Sequence, residues 1–343
     1  MAALASRTSF SASRALAENL SPLDSFEHVE RALAETDEAR RVIEVRPDIT
    51  WAAPRRAPSV DRADRGGMLD PEEFLLIATT IAAARTIRRL ITRLREAEFE
   101  LPLLGTTAAR MHDLPDRETT IRSAIGEQGD VLDSASPELA RIRMDLRRAH
   151  ERLLQLLRSI LTSSTYAQAI QEPIITEREG RYVIPVKADF RSRLPGIVHD
   201  TSGSGQTLFV EPLGAVEAAN RWRELQRREV DEIDRVLMEL SGRVAGAAWE
   251  IRTTVAALAQ IDFALAKARY ANALQAVQPE VVRVGQVPRD EPLLRLRERS
   301  ILSSEGALCR SRSNSEGHFA CSSSRGRTLA ARPSRSRLLG CSR

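Results

Sequence analysis

Arg181-Tyr182-Val183-Ile184-Pro185-Val186-Lys187 alternates with period two and carries β-branched residues, the pattern of a strand with one buried face. Gly196-Ile197-Val198-His199-Asp200 and Thr207-Leu208-Phe209-Val210-Glu211 read as two further strands. Gly203-Ser204-Gly205 lies between them and supplies the backbone freedom of a hairpin. Pro185 has no N–H for a ladder, so it is expected on an edge strand or at a bulge.

Working outward, this β-rich block interrupts helices. Upstream, Ser136-Pro137 opens a helix whose Leu139, Ile142, Leu146, Ala149, Leu153, Leu156 and Ile160 step by threes and fours. That spacing keeps one narrow seam against a partner helix for about 25 residues, or roughly 37 Å. Downstream, no proline occurs between Pro212 and Pro279, and the same stepping runs through Ile233, Leu237, Leu240, Val244, Ala247, Ile251, Val255, Leu258, Ile261 and Leu265. Gly242 and Gly246 mark a bend or break in this run. The expected fold is mainly α: one helix goes out, a small sheet sits at its far end, and a helix returns. Such a pair with a β-rich tip is suited to gripping something large.

Nearer the amino terminus, Asp24 is the expected cap of a helix from Phe26 to about Val42, with Glu27 completing a capping box. Residues Arg46 to Gly67 read as a loop. Asp70-Pro71-Glu72-Glu73 is a strong helix start, followed by the apolar stripe Phe74, Ile77, Ile81, Ala84, Ile87, Ile91 and Leu94. Aromatics make up 4% of the 343 residues, so the core must come from Leu, Ile, Val and Ala. The net charge of +4 permits nucleic-acid binding without arguing for it. No apolar run reaches the roughly 18 residues of a membrane span, and Met1 to Leu20 lacks a signal-peptide core, so no membrane partner and a cytoplasmic location are expected.

The motifs leave open whether the chain is an enzyme. No G-x-x-x-x-G-K-[ST] phosphate loop occurs; Gly203-Ser204-Gly205-Gln206-Thr207 lacks the lysine and the glycine spacing. His199, Asp200, Ser202 and Ser204 are the residue types of a hydrolase triad, but strand neighbours face alternate sides, so no catalytic residue is assigned. His28, His112 and His150 are scattered, no metal ligands are expected, and Asp231-Glu232 reads as a solvated helix face. The strand block concentrates cations instead. If this tip clamps a duplex, Arg181, Lys187, Arg191, Arg193 and His199 are the residues expected to bind the DNA, touching phosphates rather than base edges. Trp222 and Trp249 are expected as packing anchors.

The block from Arg181 to Lys187, with Gly196-Ile197-Val198-His199-Asp200-Thr201-Ser202-Gly203-Ser204-Gly205-Gln206-Thr207-Leu208-Phe209-Val210-Glu211-Pro212, resembles the signature of the second bacterial MutS subfamily. Arg65-Gly66-Gly67-Met68-Leu69-Asp70-Pro71-Glu72-Glu73 resembles it too, and the resemblance covers about Ser21 to Arg299. It implies a MutS core with lever helices and a clamp, acting on double-stranded or branched DNA in repair and in suppression of recombination. The ribosome is the alternative partner, and a non-catalytic helical scaffold or a remnant of a frameshifted gene is the alternative role. Family members resemble ABC-type ATPases that dimerise and end in a Smr nuclease. ATP and Mg are therefore implied only for an ATPase domain that this chain lacks, and no cofactor is expected in it.

The expected organisation is an amino-terminal helical core part over 1–135 and lever helices over 136–278. The clamp-like insertion falls at about 174–212, and a link to the ATPase begins at 279–300. All three cysteines, Cys309, Cys321 and Cys341, fall in the tail 301–343, which is rich in Ser and Arg and has no Lys. This tail reads either as a basic disordered arm or as a segment translated out of frame.

Overall fold

The computed structural model describes residues 2–49, 58, 60–283, 299–302 and 308–311. It is mainly helical with one small antiparallel sheet: α1 (Ala2–Ala5), α2 (Ser11–Glu18), α3 (Phe26–Val45), α4 (Asp61–Asp64), α5 (Pro71–Glu96), α6 (Pro102–Ala109), α7 (Pro115–Ala124), α8 (Pro137–Leu161), β1 (Thr176–Arg178), β2 (Arg181–Lys187), β3 (Gly196–Thr201), β4 (Thr207–Pro212), α9 (Leu213–Ala245) and α10 (Ala248–Leu274). Two compact units form, Met1–Pro22 with Leu33–Ala273, and Leu23–Ala32 with Leu274–Arg343.

In the first unit, α5 starts as its sequence demands. The Asp70 N–H donates to Glu73 Oε2 at 2.9 Å, and every residue of the expected stripe from Phe74 to Leu94 is buried. Phe74, Ile77, Ala78 and Ile81 join Leu139 of α8, Leu240 of α9 and Ile251 of α10 in one core. The second half of α5 packs with α2, α3, α6 and α10 in another. Helix α10 is buried nearly all round, from Ala257 to Ala268, as its weak polar patterning requires.

Helix α6 shows how a poor local start is rescued. Leu101 offers no capping oxygen and Pro102 has no N–H, so the N–H groups of Leu103 and Leu104 donate to the buried Glu38 carboxylate of α3 at 2.9 and 2.7 Å.

Helices α8 and α9 run antiparallel, with Ser136 of α8 on Glu232 of α9, Glu138 on Arg228, and Arg143 on Glu229. Ser136 caps α8 by accepting the Glu138 and Leu139 N–H groups at 3.1 Å. Of the expected seam, Leu139, Ile142 and Leu153 are buried, Leu146, Ala149, Leu156 and Ile160 are half-buried, and Leu157 is the buried residue near its end. The break anticipated at the glycines falls at Gly246, the residue that ends α9.

The sheet has the order β1-β2-β4-β3. All three expected strands form, and Gly205 turns the β3–β4 hairpin with φ +72°. Strand β1 was not foreseen: Glu179 and Gly180, with φ of 50° and 70°, close a two-residue hairpin without the usual Asn-Gly or Asp-Gly. Pro185 lies not in an edge strand but in β2, between β1 and β4. It is tolerated because its backbone polar groups face away from β4, towards Gln171, where β1 has already ended.

Other expectations are corrected. Ser25, not Asp24, caps α3, its Oγ accepting the His28 N–H at 3.2 Å. The loop over 46–67 contains the helical turn α4, and residues 50–57 and 59 lie outside the described residues. In the second unit, the Arg283 guanidinium sits 4.9 Å over the Phe26 ring and pairs with Glu27 at 2.6 Å. There β5 (Arg299–Leu302) and β6 (Leu308–Ser311) pair antiparallel, within a stretch for which the sequence indicated no strand. The rest of the tail, with Cys321 and Cys341, lies outside the described residues, as does most of the link at 279–300.

Glu232 is a further correction, because it is buried rather than part of a solvated face. The Arg235 guanidinium hydrogen-bonded to it, aided by the Ser136 hydroxyl and opposed by burial, holds its carboxyl at about 2. A depressed acid stabilises the fold fully above its unfolded pKa, and that contribution is lost as pH falls through the folded value. Arg235 is 55% exposed, so screening limits the effect to about 1 kcal/mol. The gap between the urea midpoints of the protein and of Glu232→Gln at pH 6 should therefore narrow steadily as pH falls from about 4 towards 2; a constant gap would remove the linkage.

Candidate nucleic-acid interface

The sheet is built on the carboxyl end of α8 and the start of α9. Leu153 and Leu157 of α8, Ile184 and Val186 of β2, Val210 of β4, and Ala215 and Ala219 of α9 form one core. Trp222 packs as expected, stacked 5.1 Å from His150 and tilted 5.3 Å from Tyr182, whose hydroxyl lies 2.9 Å from His150 Nε2. These three rings join α8, β2 and α9, and burial raises the Tyr182 phenol above its ordinary pKa. Trp249 does not pack as an anchor; it is 64% exposed, with His112 at 5.1 Å.

The five expected DNA-binding residues separate into two groups. Glu211 of β4, whose side chain is 1% exposed, receives Arg181 Nη1 at 3.1 Å and His199 Nε2 at 2.7 Å. A carboxylate only accepts, so both partners donate to it. Arg181 also donates to Asn220 at 2.8 Å, which ties β2 to α9. His199 reaches Glu211 because the β3–β4 register shifts between Val198 and Asp200, leaving His199 as the extra residue of a bulge. Arg181 and His199 therefore hold the sheet together from inside.

Lys187, Arg191 and Arg193 form the second group. None makes an ion pair with a described residue, and Arg191 and Arg193 are exposed. They flank and occupy the 3-10 turn Ala188–Arg193, with the Lys187 amine 6.0 Å above the Phe190 ring. Three cations without a described ion-pair partner thus lie within seven residues, with Asp189 as the one acid among them. Between β3 and β4, the nearby turn Ser202-Gly203-Ser204-Gly205-Gln206 carries no charge at all.

Close backbone approach fixes this end. A Cβ at Gly196 would lie 2.4 Å from the Glu211 carbonyl oxygen, so any side chain there would force β3 from β4. Asp200 lies in β3, paired with Arg178 at 3.1 Å. Arg178 in turn lies 4.2 Å over the Phe209 ring.

The triad residue types are divided: His199 is engaged by Glu211, while Ser202 Oγ lies 3.3 Å from Ser204 Oγ and accepts the Thr207 N–H. The glycine-rich segment nearest a phosphate loop is a hairpin turn between paired strands, with no helix following it, and does not fit a nucleotide. Among the described residues no group of His, Cys, Asp and Glu could hold a metal ion, and no helix is long and apolar enough to cross a membrane. Sequence reasoning missed the outward face of α8, where Arg147, Arg148, Arg152 and Arg158 are exposed. Their spacing was the available signal, on the side of the helix opposite the apolar seam.

No family model matches the chain. It is 44% identical to "Endonuclease MutS2" of Thermomicrobium roseum over 300 residues, 87% of this chain and 38% of that protein. Its identity to the protein of the same name in Symbiobacterium thermophilum is 41%, over 85% of this chain and 36% of that protein. In Geobacillus thermodenitrificans it is 41%, over 76% and 34%. The chain spans little more than a third of the length of these relatives.

Proposed function

We infer, from the premise that the region shared with these relatives makes this chain a member of the MutS2 family, that it grips double-stranded or branched DNA. Helices α8 and α9 act as lever helices and the sheet as a clamp-like tip. Lys187, Arg191 and Arg193 meet phosphates, while Arg181 and His199 position the strands that carry them. The observation that carries this reading is the division of the tip cations, two locked on buried Glu211 and three left without an ion pair. Free cations beside a rigid sheet suit sequence-independent, salt-sensitive contact with a DNA backbone. The wider role proposed is in DNA repair and suppression of recombination. The relatives are named endonucleases, but no cleavage step is assigned to this chain, since its one histidine at the tip is engaged by Glu211.

The test is the affinity of the full chain for a four-way junction and a linear duplex across a salt series, before and after Lys187→Ala/Arg191→Ala/Arg193→Ala. Affinity should fall at least about tenfold and the salt slope by about one per lost contact. An unchanged affinity and slope would remove the tip from the mechanism. Displacement of the DNA by equimolar ribosomes would move the reading to structured RNA.

A further inference from the structure

We propose that the outward face of α8 is a second phosphate-contacting surface, along which a DNA duplex lies once it is gripped at the sheet. This inference rests on the duplex-binding reading above and extends it to a part of the fold with no sequence signature.

Charge distribution between the two antiparallel helices carries the argument. Helix α8 holds six arginines against three acids, Glu138, Asp145 and Glu151. Helix α9, its partner along the seam, holds six arginines against seven acids. On α9 four of the six arginines, at 221, 228, 235 and 243, are in ion pairs, and Arg223 and Arg227 pair with no described residue. An ordinary solvated face looks like α9. On α8 only Arg141 and Arg143 are paired, and Arg143 points inward to Glu229 and Asp133. Arg147, Arg148, Arg152 and Arg158 are exposed and pair with no described residue. A solvent-facing row of uncompensated guanidinium groups repels itself, and a polyanion relieves that repulsion.

The other residues of the face narrow the ligand. Met144, Glu151, Gln155 and Ser159 complete the exposed set, and no aromatic side chain is among them. Without a stacking platform, the surface is unsuited to unpaired bases and suited to a regular backbone. All of its cations are arginines, whose planar fork meets phosphate through two parallel hydrogen bonds. From Arg147 to Arg158 the axial span is about 16 Å, the length of about five base pairs of B-form duplex at about 3.4 Å each. Arg158 is next to Leu157, which is packed into the sheet core, so the row begins where the tip ends.

The experiment compares three proteins on one duplex of about 30 base pairs: the full chain, the tip variant described above, and Arg147→Gln/Arg148→Gln/Arg152→Gln. Glutamine keeps helix propensity, and far-UV circular dichroism checks that helicity is retained. The row variant should bind at least about tenfold more weakly, with a salt slope reduced by about one per lost contact. The matching Arg→Lys variant should keep the slope. A row variant that binds like the parent while the tip variant is weakened would overturn this proposal and leave the tip reading intact. A weakened row variant beside an unchanged tip variant would support this face and overturn the tip. If neither changes anything, both fail. A Lys variant as weak as the Gln variant would place the effect in the helix rather than in charge, and would also overturn the proposal.

Discussion

Glu211→Ala is expected to cost about 3 kcal/mol of stability, read at the end of the molecule that carries the sheet. Its carboxylate is fully buried and accepts from both Arg181 and His199, whose side chains are 20% and 18% exposed. Removing one partner of a buried pair typically costs about 3–5 kcal/mol, because the groups left behind have lost both water and their counter-charge. Partial exposure of the two donors lowers that figure towards the bottom of the range. Trp222 is the natural reporter, since it contacts Tyr182 of β2 and His150 of α8. Urea unfolding would be followed by its fluorescence with Trp51 and Trp249 replaced by phenylalanine. Glu211→Leu/Arg181→Met/His199→Leu should regain most of the loss, as apolar replacement of a whole buried ion pair often does. A loss below about 1 kcal/mol for Glu211→Ala would mean that the donors are solvated and that the carboxylate does not organise the tip.

Phe74→Ala is expected to have the larger effect, about 4 kcal/mol. Its ring is completely buried in the core that gathers α5, α7 and the base of α8, α9 and α10. Truncation removes the transfer energy of the ring and leaves a void that surrounding helices cannot close, since Leu69, Ile77 and Leu139 are themselves fully buried. Far-UV circular dichroism in urea should show the midpoint falling for the helices as a whole, with Phe74→Leu intermediate. A cost under about 1.5 kcal/mol would show that the core collapses around the gap.

The contrast between these two sites explains what the sequence made legible. Phe74 follows a strong cap and sits on a seven-residue stripe, so its burial could be read directly, as could the three strands and the break at Gly246. Local signals of that kind are complete within a few residues. Glu38 capping α6 from α3, Glu211 drawing in Arg181 and His199, and Glu232 held between Ser136 and Arg235 are pairings across turns of the chain, and periodicity says nothing about them. The bulge at His199 has no compositional mark, and β1 escaped notice because Glu179 stands where an asparagine or aspartate would have announced the turn. Trp249 failed for the opposite reason: its size suggested packing, while on α10 it is 64% exposed beside the His112 ring. Of the five expected contact residues, chemistry was legible but orientation was not, because a buried partner decides whether a cation faces out.

The junction between β4 and α9 has a mechanical consequence. Strand β4 ends at Pro212 and α9 begins at Leu213, so no flexible residue separates them, and Pro212 restricts the one torsion at the joint. On the other side, α8 ends at Leu161 and β1 begins only at Thr176. The two struts are therefore joined to the sheet in different ways. Torque applied to the sheet passes through a rigid weld into α9 and along its 33 residues, about 50 Å, to Gly246. The α8 side meets the same load through a longer path, residues 162–175, which is pinned to β2 by the Gln171 N–H on Pro185 and the Lys187 N–H on Ala169 and by Ile170 packed in the sheet core, so a load on the tip reaches α8 through side-chain packing and reaches α9 through the backbone.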